Sequence, residues 1–72
     1  MKYAVAVMHF CNNILKIEFV DANSWKEALA NHSLMKLNQE FDNLAWLPND
    51  MAEAQYEAYN VDFMFDVQRM KD

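Results

Sequence analysis

Glycine is absent from all 72 residues of this chain, and proline occurs once, at Pro48. A chain without glycine must place any left-handed backbone at asparagine or aspartate, which tolerate positive φ better than other side chains. The same absence removes whole classes of chemistry. No phosphate-cradling loop, dinucleotide fingerprint or nucleophile elbow can be written without glycine. Nucleotide-dependent catalysis is therefore not expected.

The alternation of the first twenty residues predicts a hairpin. Lys2–Cys11 and Ile14–Asp21 read as two strands joined by Asn12 and Asn13, a dipeptide suited to a type I′ turn. Pairing Cys11 with Ile14 sets Phe10 opposite Leu15, Met8 opposite Ile17 and Ala6 opposite Phe19, so that one face is apolar. The other face carries Tyr3, Val5, Val7, His9 and Cys11 beside Ile14, Lys16, Glu18 and Val20. A slip of one residue would mix the two faces.

Ser24 and Glu27 form a capping box, and a helix with Trp25, Ala28, Leu29 and His32 on one stripe should follow. The stripe then changes phase to Leu34, Leu37, Phe41 and Leu44, which marks Asn31-His32-Ser33 as a break or bend. Pro48 closes this region. Asn49 or Asp50 can cap a further helix over Met51–Tyr59, with Asn60 as its stop. Val61–Met70 alternates again, with Val61, Phe63, Phe65 and Val67 on one side.

These elements predict one small α+β domain over residues 1–72: a three-stranded, mainly antiparallel sheet with two or three short helices on one face. The last strand is placed beside the first, because Ala4-Val5-Ala6-Val7 suits a central position. The covered face is expected to gather Phe10, Met8, Leu15, Ile17, Phe19, Phe63 and Phe65 against Leu29, Leu37 and Phe41. The open face would then show Tyr3, Val5, Val7, Val20, Met64 and Met70, a mixture that suggests an interface. With 54% hydrophobic residues and ten aromatics, the chain is too apolar to be disordered. The single cysteine, Cys11, cannot form an internal disulfide and suits a reducing cytoplasm. The longest apolar stretch, Tyr3–Met8, is far too short to span a membrane. A soluble, cytoplasmic protein is the expectation.

Charge is distributed unevenly. Between Lys36 and Arg69 there is no basic side chain but seven acids: Glu40, Asp42, Asp50, Glu53, Glu57, Asp62 and Asp66. The formal net charge of -5 therefore resides in the second half. Such a field attracts cationic partners and repels phosphate backbones, so direct nucleic-acid binding is not expected. Carboxylates at a suitable pitch could instead mimic nucleic acid on another protein.

Other chemistry finds little support. His9 and Cys11 share a strand face but lie roughly 7 Å apart along it, too far for a thiolate–imidazole pair. Bringing His32 to them would give no recognisable zinc spacing. The carboxylate pairs Asp62/Asp66 and Glu53/Glu57 have little room for a catalytic cleft in so short a chain. No catalytic residue, metal or cofactor is expected. Among Trp25, Trp46, Tyr56 and Tyr59, at least half should be core; Trp25 should pack on the sheet and Trp46 be partly exposed.

The layout resembles small accessory proteins of tailed bacteriophages. The likeness rests on the hairpin after Met1-Lys2-Tyr3, on the helix start Asp21-Ala22-Asn23-Ser24-Trp25-Lys26-Glu27-Ala28, and on the closing strand Asp62-Phe63-Met64-Phe65-Asp66-Val67. It implies a host-takeover or anti-defence role, in which an acidic surface disables a host enzyme, toxin or defence complex. The expected function is thus a non-enzymatic acidic binding protein for a host protein with a basic surface, such as a nuclease. Its contacts would come from Asp50, Glu53, Tyr56, Glu57, Tyr59, Asp62, Met64 and Asp66. The alternative is a structural or regulatory homodimer joined through the open sheet face or a strand edge, with Val5, Val7, Val20 and Met64 buried.

Overall fold

A computed structural model describes residues 1–10, 13–36 and 44–71. The elements run β1 (Lys2–His9), β2 (Ile14–Asp21), α1 (Trp25–Ala30), α2 (Ser33–Lys36), a 3₁₀ turn at Leu44–Trp46, α3 (Met51–Asn60) and β3 (Phe63–Arg69). The sheet is antiparallel in the order β2-β1-β3, so β1 is central, and short helices pack against one face. This is the expected α+β architecture.

Among the described residues, positive φ occurs at Asn13 (52°) and Asp62 (81°), the residue types that a glycine-free chain must use. The hairpin connection is longer than the sequence suggested. His9 pairs with Ile14 and Met8 with Leu15, a shift of two residues from the expected register. The Asn13 N–H donates to the Phe10 carbonyl at 3.3 Å. Phe10 leaves the ladder because other groups hold it: its N–H donates to the Asp62 carbonyl, and its ring meets Tyr59 edge-on. A two-residue shift preserves side-chain parity, so no side chain changes face on that account. Asn12 and Cys11 lie outside the described residues.

The covered face is the opposite of the expected one. Tyr3, Val5 and Val7 of β1 are buried with Phe63, Phe65 and Val67 of β3, whereas Leu15, Ile17 and Phe19 of β2 are exposed. The decision is made by the β1–β3 pair. Val7 faces Phe65 and Val5 faces Val67, so these strands bring their β-branched and aromatic residues to one side. The other side of the same pair carries Asp66 and Gln68 opposite Ala6 and Ala4. Burying that side would strand a carboxylate. The hairpin considered alone favours the wrong face, because Leu15, Ile17 and Phe19 dominate it.

Helix ends follow the caps read from sequence. The Ser24 hydroxyl accepts from the Glu27 N–H at 3.2 Å, and the Glu27 carboxylate accepts from the Asn23 N–H at 2.8 Å. Asp50 caps α3 by accepting from the Ala52 N–H at 3.1 Å, and the helix stops at Asn60. Ala54 and Ala58, one turn apart, are fully buried, and their small side chains let α3 lie close to the sheet. From α1, Ala28 and Leu29 join the core, together with Met35, Leu44 and Leu47, and Trp25 stacks on Phe65 with centroids 5.8 Å apart. Leu37 and Phe41 lie outside the described residues.

Candidate functional site

Two surfaces stand out, one on either side of β3. The first is the flank of α3 that faces away from the sheet. Burial of Ala54 and Ala58 turns Glu53, Tyr56 and Glu57 outward. Tyr56 and Tyr59 are 68% and 60% exposed, and Trp46 is half-exposed, so of the four rings considered only Trp25 packs substantially into the core. The expectation that at least half would be core is corrected. Ala54 and Ala58, not the rings, fill the space between α3 and the sheet.

Tyr59 and Gln55 of α3 line a groove with Met64 and Asp66 of β3. The Gln55 amide spans it, donating to the Phe65 carbonyl at 3.0 Å and approaching the Asp66 carboxylate at 3.4 Å. The Gln68 amide also donates to Asp66. Asp66 is thus held by two neutral amide donors. Glu53 and Glu57 form no ion pair with a basic group among the described residues. Asp50 is exposed at the start of α3, and Asp62 is exposed in the turn between α3 and β3. The structure therefore brings Tyr59, Met64 and Asp66 to one groove, with Glu53, Tyr56 and Glu57 on the outer side of its helical wall. Glu40 and Asp42 lie outside the described residues.

The second surface is the open side of the sheet. Reading across the strands, its rows are Leu15–Met8–Met64, Ile17–Ala6–Asp66 and Phe19–Ala4–Gln68. Leu15, Ile17 and Phe19 are 65%, 61% and 66% exposed and form a ridge along β2. Ala4 and Ala6 make a low floor beside it. Of the residues expected on an open face, Met64 and Met70 are exposed; Tyr3, Val5 and Val7 are buried and Val20 is partly so.

A polar cluster that sequence reasoning missed joins the helices to β2. His32 is fully buried; its Nε2 lies 3.0 Å from the Lys16 carbonyl, and its Nδ1 accepts from the Leu34 N–H at 3.1 Å. Both contacts are satisfied by the neutral imidazole with its proton on Nε2. Burial pushes the His32 pKa below its ordinary value, against the opposing pull of the Lys16 carbonyl and the Glu18 carboxylate. Glu18 accepts from the Ser33 N–H at 3.0 Å and from the Ser33 hydroxyl, and pairs with Lys16 at 3.0 Å. Desolvation pulls the Glu18 carboxyl upward, but the two Ser33 hydrogen bonds and Lys16 outweigh it and bring the pKa down to about 2. The available signal was the helix break at Asn31-His32-Ser33 facing a strand that carries Lys16 and Glu18. The Lys16–Ser33, Glu18–Ser33 and His32–Lys16 contacts fix the α1–α2 junction to β2.

His9 lies on the covered side of β1, opposite Ile14 and Phe63. Cys11 lies outside the described residues. Among the described residues, no group of three or more His, Cys, Asp or Glu could hold a metal ion. No helix there is long and apolar enough to cross a membrane. Comparison with protein-family models, with curated proteins and with solved structures finds no match for this chain.

Proposed function

We propose that this chain is a non-enzymatic binding protein that docks a protein with a basic surface through its α3–β3 flank. The observation that carries this reading is the groove in which Tyr59 and Gln55 meet Met64 and Asp66, with Glu53, Tyr56 and Glu57 exposed on the same helix. Exposed tyrosines and a methionine supply contact area at low conformational cost, and the carboxylates steer a cationic partner toward them. The partner's basic surface is of the kind that binds nucleic acid, and the acids take the place of phosphates there. The layout resemblance to phage accessory proteins points to a bacterial nuclease, toxin or defence complex met in the cytoplasm, which the chain would inhibit or redirect.

The test is capture from a bacterial lysate by the tagged chain and by its Glu53→Lys/Glu57→Lys variant, each at low and raised salt. A basic protein retained by the parent, released by salt and lost with the variant is the expected result. Capture indifferent to both salt and charge reversal would overturn the reading.

A further inference from the structure

The open sheet face calls for an occupant. Antiparallel sheets commonly leave one face to water, but that face then alternates to polar residues. Here the β2 row is Leu15, Ile17 and Phe19, each more than three-fifths exposed. With the half-buried Ala4, Ala6 and Met8 of β1 they leave roughly 500 Å² of side chain and backbone in water, within the upper range for the largest patch on a monomer. Covering that area on two molecules removes roughly 1,000 Å², the threshold for a specific interface.

We propose that a second copy of this chain covers the face, sheet against sheet, forming a six-stranded sandwich with the helices outermost. The surface is self-complementary in shape. A ridge of large side chains on β2 runs beside a floor of Ala4 and Ala6 on β1, about 4.8 Å away. A two-fold axis parallel to the strands, midway between the two sheets and above the gap between β1 and β2, lays each ridge over the other copy's floor. Side chains of alternate size then interdigitate across the roughly 10 Å that separates packed sheets.

Charge selects this axis over its neighbour. An axis directly above β1 would press Ile17 and Phe19 of one copy onto β3 of the other, burying the Asp66 carboxylate without a cation. With the axis between β1 and β2, β3 remains at the margin, and Asp66 keeps its water and its Gln55 and Gln68 donors. The pairing also leaves both α3 flanks facing outward. The dimer therefore goes beyond the proposed docking function without competing for the same surface, and would present the acidic flank twice.

Sedimentation of the full chain over a range of micromolar concentrations tests the proposal. The parent is expected to be a dimer that persists or tightens as salt rises, because its contact is apolar. Ile17→Asp, on the ridge, and Ala4→Glu, on the floor and opposite the neutral Gln68, should each weaken association by at least about tenfold. Both positions face the open side, so circular dichroism should show the parent secondary structure for each monomer. A parent that stays monomeric throughout would overturn the proposal, as would a dimer unaffected by both substitutions. Salt separates the two surfaces: loss of the dimer with salt-sensitive capture intact refutes the sandwich alone, and the converse refutes the acidic flank alone.

Discussion

The imidazole Nε2 of His32 lies 3.0 Å from the carbonyl oxygen of Lys16 and ties the α1–α2 junction to an edge strand. The other ring nitrogen accepts from the Leu34 N–H, so the ring can keep both contacts only while it is neutral. Adding a proton would set a donor against a donor inside a fully buried site.

Acid should therefore loosen this protein in two stages. The His32 pKa is lowered on folding, so below the ordinary value of 6.5 the unfolded chain binds more protons than the folded one. Stability is complete above that pH and falls as pH drops toward the folded-state pKa. Glu18 adds a second loss, beginning below 4.5 and running toward about 2. Urea unfolding across this range should show both losses. His32→Gln should remove the upper one, and a pH profile unchanged by that substitution would contradict the assignment.

Ser33 should matter mainly through Glu18. Ser33→Ala deletes the hydroxyl donor while leaving the backbone donor, at a cost of about 1 kcal/mol in unfolding free energy. It should also raise the Glu18 pKa, measured by NMR titration, because one of the groups holding it down is gone. No change in that pKa would count against the hydrogen bond.

Asn13 takes a left-handed conformation in the hairpin connection, with φ of 52°. Asn13→Gly should be tolerated, whereas Asn13→Val should cost about 1–2 kcal/mol, because a β-branched side chain clashes in that region. Equal stability of the two variants in thermal unfolding would argue against a left-handed turn.

Some of this structure can be read directly from the residues. Ser24, Asp50 and Asn60 mark helix ends where the chain has them, and Asn13 and Asp62 stand at left-handed positions. Local chemistry determines those features. Which side of the sheet is covered depends instead on a long-range choice: Val5 and Val7 are buried because β3 presents Phe65 and Val67 beside them. Alternation within the hairpin could not reveal that partner. The register was obscured for a related reason, since Phe10 is drawn off the ladder by Tyr59 and Asp62, some fifty residues away in sequence. Of the binding residues chosen from sequence, Tyr59, Met64 and Asp66 do share a groove, whereas the Leu15–Ile17–Phe19 ridge was assigned to the core. Exposed ridges and buried ones have the same composition.

Lys26 offers a further check on the helical layer. Its ammonium bonds the Leu47 carbonyl and the Asn49 side chain, fastening the segment before α3 to α1. Lys26→Met keeps most of the stem and removes the donors, and should cost about 1–2 kcal/mol while speeding amide exchange in the first turn of α3. Unchanged exchange there would show that the staple carries no weight.

Both proposed surfaces depend on which side of the sheet the helices cover, and urea unfolding of two single-aspartate variants at dilute concentration measures that directly. Val7→Asp should fail to fold or lose several kcal/mol, because Val7 is only 1% exposed and its new charge would be buried. Ile17→Asp, on the ridge, should unfold within about 1 kcal/mol of the parent monomer. The reverse pattern, with Val7→Asp tolerated and Ile17→Asp unfolded, would contradict the account.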